Sequence, residues 1–428
     1  MSPISKRIIG ILAIVIIAGT GAGIVFGAHA NIVPQNTANN LIGVPLQLTD
    51  VTGTLNVFEW SGYELEELWG KFNETYPNVD VQFSFFTDES EALTKLQAGF
   101  EPDIVHPCFA SVPRWYDAGV IEPLNVSLIP NWEDIFPDVK TNIEEGTVFN
   151  GENYFVPADW GYSTILYMPE ALEDLGIPRE DWDTYNLLFD YRPELENKIS
   201  LMDSAVEVMG MAAIAAGVPK EDVWNMTDAQ LDLVKAKLEE GKPMVRAYWS
   251  TPDEVVSMMA SGEIVAANVW GESAITLKNE GHNVTFSDPV QGRFLWTCGF
   301  SIVDGFKARK PALWEAAHAF INAWLDPEAG AWLIDNYWYG HSNSKTPDFV
   351  EDVETMTALG FDSTDVMETA IIWEYTPNED DWVLMWTEYR ADVPPLLSTE
   401  VIIAIVVIVA IAGVGLGYVV IRRRKKTS

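Results

Sequence analysis

The chain is 428 residues long, is 48% hydrophobic and has a formal charge of -37. That composition supports a packed core and about two to three domains of ordinary size, and it argues against wholesale disorder. Seven of the 26 basic residues lie at the two ends, leaving 19 against 63 acidic residues in between. Such a surface repels phosphate backbones and excludes nucleic acid as a partner.

The first predicted element is apolar. Ile8–Phe26 carries no charge, follows Lys6-Arg7 and precedes "AHA" at 28–30. Residues 1–30 therefore read as a secretory signal or an uncleaved anchor. Residues 31–53 are polar and spotted with Asn, Pro and Gly, which is the composition of a linker. At the other end Val401–Ile421 is uncharged and long enough, at about 32 Å as a helix, to cross a bilayer. "RRRKK" follows it, so the tail 422–428 is expected on the cytoplasmic side and residues 31–400 outside the cell.

Between these ends strands and helices alternate. "TLNVFEW" predicts a strand, and Leu65, Leu68, Trp69 and Phe72 have the spacing of one helix over "ELEELWGKFNETY". "VDVQFSFF" alternates as a strand, "ESEALTKLQAG" reads as a helix closed by Gly99, and "PDIVHP" is a short strand of the buried type. This βαβαβ rhythm predicts a parallel, doubly wound α/β sheet, whose ligands sit beyond the carboxyl ends of its strands. "NYFVPADWGYSTILYM" (153–168) reads as two strand pieces around a bend. Helices are expected over "AVEVMGMAAIAAG", over "TDAQLDLVKAKLEEG" with Thr227 as its N-cap, and over "TPDEVVSMMASGE". "IVAANVWG" and "RFLWTCGFSIVDG" are strands, and two helices follow from Pro311.

Seventeen tryptophans are many for this length, and most must serve the core. Trp60, Trp160, Trp270 and Trp296 share a placement at predicted strand ends or bends. There an aromatic face can stack on a sugar or enclose an organic cation. Asp159, Glu207 and Glu272 lie near such positions and could pair with an ammonium. No CxxC or His/Cys cluster points to a metal, and nothing points to a cofactor. GxSxG, HExxH and P-loop motifs are absent, and acids alone do not define a glycan-acting enzyme.

The ordered set "LNVFEWSGYELEELWGKFNETY", "ALTKLQAGFEPDIVHP", "YFVPADWGYSTILYM", "DSAVEVMGMAAIAAG", "GEIVAANVWGESA", "LWTCGFSI" and "DNYWYGHSNS" resembles the extracellular solute-binding proteins of ABC importers, most closely their spermidine/putrescine-binding group. The resemblance implies a two-lobed clamshell of the type II periplasmic-binding-protein kind. Lobe 1 would span 54–158 and 296–340, and lobe 2 would span 159–295 and 341–392. It implies a ligand site at Trp60, Tyr63, Glu207, Trp270, Trp296 and Tyr339, beside Trp160 from the strand-end reading. It also implies a small-molecule ligand, and a permease and ATPase as partners. Where polyamine binders usually carry an Asp two residues after the strand Trp, this chain has Cys298. Cys108 and Cys298 both fall at ligand-site positions of one lobe, which the resemblance makes a candidate disulfide. The expected function is that of a membrane-tethered protein delivering a small organic solute, a polyamine or related cation among the candidates, to an ABC importer. A solute sensor or surface receptor built on the same clamshell is the alternative.

Overall fold

The computed structural model describes residues 50–391. The N-terminal segment, the membrane-crossing helix expected at 401–421, the basic tail and most of the linker lie outside them. Among the described residues no helix is long and apolar enough to cross a membrane.

Eight strands form the main path of the sheet: β1 (Gly53–Trp60), β2 (Val79–Phe86), β3 (Ile104–Val105), β4 (Val156–Tyr167), β5 (Ile199–Met202), β6 (Val245–Trp249), β7 (Ala266–Val269) and β8 (Phe294–Val303). Their spatial order is β2-β1-β3-β8-β4-β7-β5-β6. The expected parallel pairing holds at each end: β1 runs parallel to β2 and β3, and β5 runs parallel to β6 and β7. The middle is antiparallel, because β8 runs against both β3 and β4, and β4 runs against β7. The sheet is therefore mixed.

The two central strands give the molecule its two lobes. The first residues of β4 pair with β8, and its last four pair with β7. In turn β8 starts against β4 and ends against β3. Each strand thus begins in one half of the sheet and finishes in the other, a geometry suited to hinge closure. Every residue of β4 and β8 is buried. The expectation of two strand pieces around a bend is corrected here: Val156–Tyr167 is one strand, with a register shift opposite Cys298/Gly299. Pro157 falls at that shift, where a missing N–H disturbs the ladder least.

The single helix expected over Glu64–Tyr76 is also corrected. It divides into Glu66–Trp69 and Lys71–Thr75 at Gly70. Glycine is a weak helix former, and a Cβ at Gly70 would meet the Glu66 carbonyl oxygen. The other predicted helices form with their caps. Asp88 accepts from the Glu91 N–H and starts Glu89–Gln97. Thr227 and Gln230 close a capping box on Asp228–Gly241. The helix Ala205–Ala215 is buried along almost its whole length, and its small residues let Phe294 and Trp224 approach Gly210. The last described helix, Glu379–Ala391, packs on Ala205–Ala215, with Trp382 stacked near Trp224.

Candidate functional site

A cavity of about 110 Å³ lies where the two halves of the sheet meet. Its walls come from strand ends and from the turns after them. β1 ends at Trp60, which pairs in register with Phe86 and lies 4.5 Å from its ring. The chain then turns through Ser61-Gly62, with Gly62 at a positive φ that favours glycine, and brings Tyr63 in from the same side. Glu207 stands in the first turn of the helix after β5. Trp270 is the N-cap residue of the helix Gly271–Asn279 that follows β7, and Glu272 is in its first turn. Trp296 lies on β8. Its ring covers Gly161 on β4, and a Cβ there would overlap the indole. Tyr339 follows the helix Pro327–Tyr337 and meets Trp296 edge-on at 4.8 Å.

Six of the seven residues expected from the sequence line this one space: Trp60, Tyr63, Glu207, Trp270, Trp296 and Tyr339. Trp160 does not. It is 0% exposed and packs edge-on against Phe361 at 4.9 Å. Successive strand residues point to opposite faces, so Asp159 faces the cavity and its neighbour turns away.

Four carboxylates line these aromatic walls. Glu207 accepts from the Trp270 indole N–H and the Ser163 hydroxyl, each at 2.8 Å. Burial nevertheless pushes its pKa up to about 7. Burial does the same to Glu272, also to about 7, with only the Tyr339 hydroxyl, at 3.3 Å, to offset it. Glu89 accepts from the Cys108 backbone N–H at 2.7 Å, and burial raises it to about 8. Asp159 accepts from the Tyr63 hydroxyl at 3.0 Å and lies 3.1 Å from His106 Nε2. Behind it His106 Nδ1 lies 2.7 Å from Glu59. Burial works to lower the His106 pKa, but the two flanking carboxylates dominate and raise it to about 10. Buried anions seek cations. Among the described residues, no lysine or arginine forms an ion pair with Glu207 or Glu272.

Cys108 and Cys298 form a disulfide in the cavity wall. It ties the segment after β3 to the middle of β8.

Sequence reading did not single out Glu59, Glu89, His106 or Trp373. Glu89 looks like any first-turn acid, because nothing local shows that the half-buried helix start faces a cavity. His106 did leave a signal: it is a lone titratable group closing a buried-type strand in "PDIVHP".

Two α/β halves joined by crossing strands, with an aromatic and acidic cavity at the strand ends, form the clamshell of a solute-binding protein. Residues 67–358 match the family model for bacterial extracellular solute-binding proteins, and the chain belongs to that family. Its members bind solutes outside the cell and are not enzymes. The putrescine-binding periplasmic protein PotF of Escherichia coli is 24% identical over 68% of this chain and 78% of its own length. The putrescine-binding periplasmic protein SpuD of Pseudomonas aeruginosa is 23% identical over 79% of this chain and 92% of its own. Among solved structures, a putative spermidine/putrescine ABC transporter protein from Listeria monocytogenes superimposes with a TM-score of 0.67. It is 24% identical and covers 79% of this chain and 99% of its own. The protein MotA of Agrobacterium tumefaciens, in complex with glucopine, superimposes with a TM-score of 0.63 at 20% identity, over 79% of this chain and 100% of its own.

Proposed function

We propose that the protein captures a small organic cation of the diamine or polyamine class outside the cell and hands it to the permease and ATPase of an ABC importer. One observation carries this reading. Glu207 is buried and Glu272 half-buried in an aromatic-walled cavity, and both have neutral hydrogen-bond partners. A carboxylate in that setting gains most from a ligand that brings its own positive charge. The rings of Trp60, Trp270, Trp296 and Tyr339 supply apolar faces for a methylene chain and negative faces for an ammonium. The putrescine-binding relatives support the same class.

The lobes would divide as 54–158 with 296–340, and 159–295 with 341–392, so that closure brings Tyr63 toward Glu207. Binding energy drives the closure, and no bond is made or broken. The apolar run at 401–421 and the basic residues after it would tether the protein to the cell membrane, with the C-terminus cytoplasmic and the lobes outside.

The test is calorimetric titration of the segment 46–395 with putrescine, spermidine, butane-1,4-diol and maltose. Saturable binding of an amine, with a matching rise in melting temperature, is expected. Binding of the diol or the sugar in preference to every amine would overturn the reading.

A further inference from the structure

We propose that Asp159 is the anionic anchor of the ligand cavity, and that His106, oriented by Glu59, is the positioning residue that holds it. The inference rests on the organic-cation reading above.

Glu59 and His106 are 0% exposed and Asp159 is 1% exposed, yet they form one chain of contacts. His106 Nδ1 meets Glu59 Oε1 at 2.7 Å, and His106 Nε2 meets Asp159 Oδ1 at 3.1 Å. Each ring nitrogen faces a carboxylate oxygen. Ionised carboxylates only accept, so the ring donates from both nitrogens and carries a positive charge. Glu59 is fixed in turn, because the same Oε1 also accepts the Trp60 backbone N–H at 2.8 Å. The ring also stacks on Phe300 at 4.2 Å, so packing as well as hydrogen bonding sets its plane.

Asp159 is thereby held at both oxygens, Oδ1 by His106 and Oδ2 by the Tyr63 hydroxyl at 3.0 Å. A carboxylate has about four acceptor positions. Two remain for a group in the cavity, which Asp159 lines. With both oxygens held, the Asp159 carboxylate is fixed in place before any ligand arrives.

Glu207 and Glu272 differ in kind. Their partners are an indole and hydroxyls, all neutral. Asp159 is the acid in the cavity supported by a buried cation. Its place in the ladder also has a consequence. Asp159 pairs directly with Cys298 across β4 and β8. Asp159 and the cavity-lining disulfide therefore sit side by side in the ladder.

Three variants, Asp159→Asn, Glu59→Gln and His106→Gln, are titrated with putrescine and with butylamine, alongside wild type. Nitrogen-15 spectra of His106 are recorded on the wild-type protein. Each variant is expected to weaken putrescine binding by about 10-fold or more. The loss for butylamine is expected to be smaller, because one charge can still use Glu207 and Glu272. Both His106 nitrogens are expected to be protonated at neutral pH. Folding failure of a variant does not decide the matter, because the spectra and Tyr63→Phe, which removes one hydroxyl from Asp159, read the same contacts in an intact protein. A singly protonated ring at neutral pH overturns the proposal. So do variants that lower the melting temperature yet leave putrescine affinity and the putrescine-to-butylamine ratio unchanged. If wild type binds no amine at all, the cation reading falls and the anchor falls with it. Amine binding that is indifferent to the three variants removes the anchor alone.

Discussion

The indole Nε1 of Trp270 donates to Glu207 Oε1 at 2.8 Å, so an aromatic wall and an acid wall of the cavity are one bonded unit. Trp270→Ala removes both a ring face and a hydrogen bond to a buried carboxylate. Ligand affinity is expected to fall by about 1–3 kcal/mol. Trp270→Phe keeps the ring face and is expected to lose less. Calorimetry reads the affinities, and thermal melting checks that the fold survives. Normal affinity in a destabilised Trp270→Ala protein would make the residue a packing element only.

Glu207 and Glu272 set a pH dependence whose sign follows from burial. Both are raised from 4.5 to about 7. Between those values the folded, ligand-free protein holds protons that the unfolded chain has released. Their contribution to stability is therefore lost as pH rises through that window. A cation favours the ionised forms, so its affinity is expected to increase from about pH 5.5 to about pH 8, with protons released on binding. Titration in buffers of different ionisation enthalpy measures that release. In Glu207→Gln/Glu272→Gln the release is expected to fall to what Glu89, the remaining cavity acid raised by burial, supplies.

The disulfide joins residues 190 apart in sequence. Closing so long a loop restricts the unfolded chain, and the chain-entropy estimate reaches about 5 kcal/mol. Cys108→Ser/Cys298→Ser is expected to melt well below wild type. Because both residues line the cavity, its affinity for the amine is expected to fall as well. Equal melting temperatures for the oxidised and double-serine proteins would show that the bridge adds nothing to the fold.

The N-terminal acids of the helix Glu379–Ala391 reach across the molecule. Arg114 holds Glu379 at 2.9 Å and Asp380 at 2.7 Å, and Ser90 donates to Glu379 at 2.7 Å. Further along the same helix Trp386 and Arg390 bind Asp203, on the other side of the cleft. Exposed ion pairs are each worth about 0.2–1 kcal/mol. Arg114→Ala is therefore expected to speed ligand release by about 2- to 5-fold while leaving the association rate nearly unchanged. Stopped-flow fluorescence of the cavity tryptophans follows both rates. An unchanged release rate would mean the helix does not restrain opening.

Local chemistry made much of this site readable. Trp60, Trp270 and Trp296 sit at or on strands whose length and bounding turns are written in neighbouring residues. Strand ends collect ligands because helix starts and turns expose polar groups there. Thr227 announces its helix for a local reason too: a cap bonds only a few residues ahead. Gly70 was visible too, but its effect depended on whether neighbouring packing would tolerate a glycine within the helix.

What the sequence by itself determined is therefore most of the elements, their order, and the aromatic and acidic residues placed at their ends. Only the tertiary structure decided which face each residue of β4 presents. The strand is buried on both sides, so no alternation of apolar and polar residues tells Asp159 from Trp160. Only it brought Glu59, His106 and Asp159 together and closed the bridge between Cys108 and Cys298. Those contacts join segments about 50 to 190 residues apart. Propensity and periodicity act over a few residues and carry no record of distant partners.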